Sequence, residues 1–175
     1  MHTGQHVPKV SLPTVNGTQF SNDVLEGKKY LLSFFPFASC PLGHLYLEKL
    51  TKLKEEMGSR VHVVAVFESE LDHLRKQSRK HMQVFPIVAD EFRVYYHLFG
   101  VKKSWRGFFT AFFRRFKSVV SGIAHGYFPV ELSRRMLSMP LAVLIDEKGD
   151  IITMYHGKDE GDHMPVEQVR RFFDA

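Results

Sequence analysis

The chain has 175 residues, of which 44% are hydrophobic and 25% charged. That length carries a full core without disulfide or metal staples, and that balance excludes a disordered or fibrous chain. The single cysteine, Cys40, excludes an intrachain disulfide and any cysteine-built zinc or iron–sulfur site within one chain.

The formal net charge of +5 comes from 24 Lys and Arg against 19 Asp and Glu. Its distribution is uneven. Residues 101–124 hold Lys102, Lys103, Arg106, Arg114, Arg115 and Lys117 and no acid. The remainder carries 18 basic against 19 acidic residues, a balance of −1. The excess therefore belongs to one segment, and no recognised nucleic-acid module accompanies it. Met1 to Leu12 lacks the apolar core of a secretory signal. No apolar run approaches the roughly 18 residues of a spanning helix. The expectation is a cytoplasmic protein.

In chain order, residues 9–20 read as a β-hairpin turning on Asn16-Gly17, the pair preferred in type I′ turns. Tyr30 to Phe35 is apolar except for Ser33, as in a buried central strand. Pro36 and Pro41 bracket Cys40. Leu42, Leu45, Tyr46, Leu50, Leu53 and Met57 follow helical spacing, and Gly58 ends that helix. Val61 to Phe67 is a second buried strand. The polar stretch Glu68 to Met82 reads as a surface helix, Phe85 to Ala89 as a third strand, and Glu91 to Phe99 as a short helix. After the basic segment, Leu141 to Ile145 and Ile151 to Tyr155 form a hairpin about Asp146 to Asp150. Pro165 opens a C-terminal helix. The order predicts one α/β domain over residues 1–175, with a mixed central sheet, an N-terminal hairpin and a helical insertion at about 101–138.

Cys40 falls where a buried strand feeds a helix, with Pro41 at the first helical position. The free N–H groups and partial positive charge of a helix start stabilise a thiolate, which is the nucleophilic form. The competing reading is an inert buried cysteine. Met139-Pro140 opens the fourth strand, a position where proline is tolerated.

The span Leu31 to Gly43 resembles the strand and Cys-Pro-x-Cys segment of the thioredoxin superfamily, in its AhpC/TSA peroxiredoxin-like branch. Pro140 to Asp150 is similar to that branch's hairpin, and Tyr155 to Pro165 to its Lys-Asp-x-x-Asp-His-x-Pro tail. The resemblance implies a thioredoxin-like fold in which Pro140 is commonly cis and faces the thiol. It also implies reduction of peroxides or disulfides through Cys40, with no cofactor. Pro36, Ser39, Pro41, Gly43, His44, Met139 and Pro140 would surround the thiol.

Three departures stand out. Gly43 occupies the second cysteine position. Phe37 stands three residues before Cys40 and Ser39 is out of register, so the family's peroxide-orienting hydroxyl does not transfer. Its later arginine has no secure match, and Arg134 and Arg135 are candidates by proximity alone. With one cysteine, Cys40 would become a sulfenic acid, and an external thiol, glutathione or thioredoxin-like, would resolve it.

Topology returns the fifth strand to the end that holds Cys40, so His156 and Lys158 are candidate thiolate-stabilising groups beside a plain solvated-loop alternative. His44, one turn after Cys40, faces the same choice. His156, Asp159, Asp162 and His163 match no dedicated metal template, and no metal is expected.

Trp105, Phe108, Phe109, Phe112, Phe113, Phe116, Val119, Val120 and Ile123 form an apolar stripe on a basic amphipathic helix. Packing on the domain's own sheet, a homodimer or partner interface, and a membrane-surface helix remain open. The alternative to an enzyme is a non-catalytic thioredoxin-fold binding module that works through residues 102–123.

Overall fold

The computed structural model describes residues 1–78, 84–104, 120, 124 and 138–175. The basic aromatic stripe, apart from Val120, lies outside the described residues, as do Arg134 and Arg135.

Two strands of the N-terminal hairpin come first, β1 (Ser11–Pro13) and β2 (Gln19–Ser21). They pair antiparallel as a separate two-stranded sheet. Their connection differs from the expected two-residue turn. Thr14 N–H donates to Thr18 O (2.8 Å) and Gly17 N–H to Thr14 O (3.1 Å), so the loop is longer. Of the expected pair only Gly17 has a left-handed φ, +85°. A type I′ turn needs positive φ at both central residues, and Asn16 does not adopt it.

The strand β3 (Tyr30–Phe35) is buried at every position. Such a strand needs a partner on each edge, because buried backbone N–H and C=O groups must be paired. β4 (Val63–Phe67) supplies one in parallel, with Phe35 opposite Phe67. β6 (Leu141–Ile145) supplies the other, antiparallel, with Phe34 opposite Leu141. β5 (Ile87–Ala89) adds to β4 in parallel, and β7 (Ile151–His156) adds to β6 antiparallel. The sheet order is β5-β4-β3-β6-β7. Val15 N–H bonds Ile87 O at 3.0 Å, so the outer edge of β5 is covered by the hairpin.

Helices fill the crossovers: α1 (Pro41–Met57) between β3 and β4, and α2 (Leu71–Gln77) between β4 and β5. The helices α3 (Val94–Leu98) and α4 (Val166–Asp174) are the other two α-helices named among the described residues. The pleat divides the sheet between two cores. Leu31 and Phe35 of β3 pack with Leu47, Leu50 and Leu53 of α1 and with Val169 and Phe173 of α4. Leu32 and Phe34 pack on the other face with Tyr96, Phe99, Val10 and Phe20. Each fully buried large side chain contributes about 1.5–3 kcal/mol.

The helix expected over Glu68 to Met82 is helical over Leu71–Gln77, and residues 79–83 lie outside the described set. Glu68 is not on the surface. It is 2% exposed, held by Arg93, by Lys103 at 3.4 Å and by the Ser138 hydroxyl. Such partners offset the cost of burying a carboxylate.

Candidate active site

Strand β3 ends at Phe35, and residues 36–40 make a fully buried connection into α1. Cys40 is the N-cap residue, with extended backbone (φ −70°, ψ 114°), and Pro41 is the first helical residue. Proline suits that position because its missing N–H would have had no helical partner. The register expected from the sequence is therefore the one adopted.

The thiol is 1% exposed. Burial pushes its pKa well above the ordinary thiol range, and the charge of Glu160 pushes it further. The N–H groups of Gly43 and Leu42 act in the opposite direction. They favour the thiolate from close range, although no first-turn N–H meets full hydrogen-bond geometry with the sulfur. The helix-start effect is thus present but smaller than desolvation.

The surrounding side chains brace this connection. His44 is fully buried, and its Nε2 lies 2.7 Å from Ala38 O. A carbonyl only accepts, so Nε2 carries the proton. His44 thus clamps the loop that precedes the thiol. Ser39 is 1% exposed, and among the described residues its Oγ meets no hydrogen-bond partner. A Cβ built on Gly43 would lie 3.2 Å from the Phe35 ring and 3.6 Å from Cys40 Cβ, so this position is packed to contact.

Met139 is buried, and its N–H donates to Lys102 O at 2.8 Å. The Met139–Pro140 peptide is trans, not cis as the resemblance implied. Pro140 O accepts the Gly157 N–H at 2.8 Å. A side chain at Gly157 would meet Asp162 O at 2.5 Å and Pro140 at 3.1 Å, so glycine permits the approach. The loop after β7 is thereby tied to the start of β6.

This loop places the tail residues. His156 is exposed opposite Leu141, its pKa lowered by partial desolvation and by the positive charges of Lys102 and the N-terminus. Lys158 is exposed, and its backbone N–H donates to Asp162 Oδ2 at 2.9 Å. The charged group that acts on the thiol comes from the same loop but is an acid, Glu160. Glu160 is 6% exposed, and its Oε1 has no hydrogen-bond partner among the described residues. Burial first, then Asp159, raises its pKa to about 8. Asp162 also accepts from the Tyr155 hydroxyl (2.8 Å), Asp159 accepts from Gly161 N–H (2.9 Å), and His163 stacks on Tyr46 at 4.4 Å.

Sequence reasoning did not single out Glu160, because an acid in a polar, turn-rich tail looks solvated. It also missed the buried group at the end of β4. Arg93, left-handed at φ 60°, bonds Glu68 and, at 2.9 Å, Ser138. No local pattern joins residues 68, 93, 103 and 138.

A parallel strand–helix–strand core with an antiparallel hairpin on its other side, and a cysteine capping the first crossover helix, defines a thioredoxin-like protein. The AhpC/TSA family matches residues 3–154, and the chain belongs to that family. The fold is also similar to solved peroxiredoxins. A cysteine-to-serine mutant of the peroxiredoxin 6 of Arenicola marina superposes with a TM-score of 0.72 at 14% identity, covering 99% of this chain and 72% of that one. A yeast mitochondrial 1-Cys peroxiredoxin, described in terms of thiol resolution through glutathione and thioredoxin systems, gives 0.70 at 17% identity, covering 100% and 76%. The peroxidoxin BcpB of Mycobacterium tuberculosis gives 0.67 at 17% identity, covering 99% and 97%. A comparison with curated proteins finds no match.

Proposed function

We propose that the protein is a thiol-dependent peroxidase in which Cys40 is the redox nucleophile and an external thiol is the reductant. The observation that carries this reading is the position of Cys40, capping α1 at the end of the central strand in a chain of the AhpC/TSA family. Cys40 attacks the peroxide O–O bond and becomes a sulfenic acid, while the peroxide is reduced to an alcohol or water. A first external thiol condenses with the sulfenic acid to a mixed disulfide, and a second releases Cys40 as a thiol. Two external thiols are required because the chain has no other cysteine. Glutathione or a thioredoxin-like protein fits, and the yeast neighbour's use of those systems supports the choice. Such a cycle belongs in a reducing compartment such as the cytoplasm.

The test follows hydrogen peroxide consumption with dithiothreitol or glutathione, in wild-type and Cys40→Ser protein. Turnover that vanishes in the variant, with a sulfenic acid trapped at Cys40 by dimedone, is the expected result. Absence of Cys40-dependent turnover overturns the reading.

One observation favours a second reading. A thiol 1% exposed, with its pKa driven up by burial, is also what an inert core cysteine looks like. The chain would then be a non-catalytic binding module on the same fold, and Cys40 would resist alkylation in the folded state at every pH.

A further inference from the structure

We propose that His44 is the positioning residue for Cys40: it grips the chain on both sides of the thiol, so that the sulfur meets a peroxide at the start of α1 in one fixed pose. This inference rests on the peroxidase reading above.

The backbone of Cys40 is bonded at both ends. Its N–H donates to Phe37 O at 3.1 Å, and its carbonyl accepts the His44 N–H at 3.1 Å. The ring of the same histidine makes the next tie. Its Nε2 lies 2.7 Å from Ala38 O, and both residues are fully buried. His44 therefore holds the chain at Cys40 through its main chain and at Ala38 through its side chain. The segment between those two grips carries the thiol.

The ring is itself held. It lies against the Phe67 ring of β4, with centroids 6.4 Å apart, and Phe67 stacks on Phe35, the last residue of β3, at 4.7 Å. The ring thus joins the connection to α1 and to the ends of two central strands. A buried carbonyl that loses its donor costs free energy, and the connection relieves that cost by moving toward water. Cys40, two residues beyond Ala38, would move with it. A misplacement of about 1 Å costs roughly 10²-fold in the rate of a positioned reaction.

The test compares wild type with His44→Gln and His44→Leu, each checked for folding by circular dichroism. Glutamine carries an amide donor at about the reach of Nε2, and leucine keeps apolar volume without a donor. The first readout is the single-turnover rate of Cys40 oxidation by hydrogen peroxide. The second is the rate of Cys40 alkylation by iodoacetamide at the same pH. In His44→Leu, oxidation should fall by roughly 10-fold or more. Alkylation should rise by roughly 2- to 12-fold, the range that a hydrogen bond of ordinary net strength sets on a local opening. His44→Gln should restore both. Opposite changes separate positioning from other causes, because a thiol whose pKa had simply fallen would speed both reactions. Rates that move together, a His44→Leu protein that behaves as wild type, or a His44→Gln protein that behaves as His44→Leu overturns the inference. Should His44→Leu fail to fold, nitrogen–proton NMR of the wild type decides. A His44 ring protonated at Nε2, with a slowly exchanging proton, supports the grip, and protonation at Nδ1 overturns it. If the wild type shows no Cys40-dependent turnover, the peroxidase reading fails and alkylation decides whether His44 holds Cys40. Faster alkylation in His44→Leu, restored in His44→Gln, then supports that hold, and equal rates overturn it.

Discussion

At Cys40 two influences compete. The helix start favours the thiolate, and desolvation together with Glu160 favours the thiol. Burial is the larger, so the resting group is a protonated thiol rather than a permanently activated one. Gly43 is the neighbour where a single substitution is most informative. Its would-be Cβ lies 3.6 Å from Cys40 Cβ, inside the roughly 3.5–4.5 Å range that a disulfide spans. Gly43→Cys should therefore form an intramolecular disulfide on mild oxidation, seen as the loss of two titratable thiols without a dimer on a non-reducing gel. The 3.2 Å approach to Phe35 should lower stability by about 1–3 kcal/mol, because the ring must shift in a packed core. Two thiols that stay free after oxidation would show that residue 43 does not face the sulfur.

At the scale of elements, α3 shows how a five-residue helix persists. Its propensity is too weak to form it alone. Asp90 accepts N–H bonds from Val94 (2.9 Å), Tyr95 (2.8 Å) and Tyr96 (2.9 Å), which satisfies the donors of the first turn. Tyr96 then reaches across the sheet, its hydroxyl donating to Phe35 O and, at 3.0 Å, to Val66 O. The cap on α3 thus fixes the end of the strand that leads to Cys40. Asp90→Ala should cost about 2 kcal/mol and lower the melting temperature by roughly 4–8 °C, measured by circular dichroism. A melting temperature unchanged within one degree would mean that the cap does not stabilise α3.

For the molecule as a whole, Glu160 links folding to pH. Its pKa is about 8 in the folded protein and near 4.5 when exposed. Between those values the folded state keeps a proton that the unfolded state has lost, so stability falls as pH rises from 4.5 to 8 and then levels. The loss is on the order of a few kcal/mol. Glu160→Gln removes it. The urea midpoint of the variant should overtake that of the wild type progressively across this window, and a constant difference from pH 5 to 9 would contradict the assignment. None of the described helices is long and apolar enough to cross a membrane.

The central strands were legible because their residues are apolar apart from Ser33, and α1 because its leucines recur at helical spacing between Pro41 and Gly58. These are local signals, and burial on both sides of a sheet writes them directly into the chain. Cys40 was legible for the same reason: a strand end, a proline and a helix start are consecutive in sequence. The length of the first hairpin loop was not, because Asn16-Gly17 permits a tight turn without requiring one. By itself the sequence determined the fold class, the order of elements and the place of the thiol. Only the tertiary structure decided what surrounds it. Glu160 lies 120 residues from Cys40, and Glu68 lies 70 from Ser138. The burial of an acid depends on which distant groups meet it after folding, and no local pattern encodes that meeting.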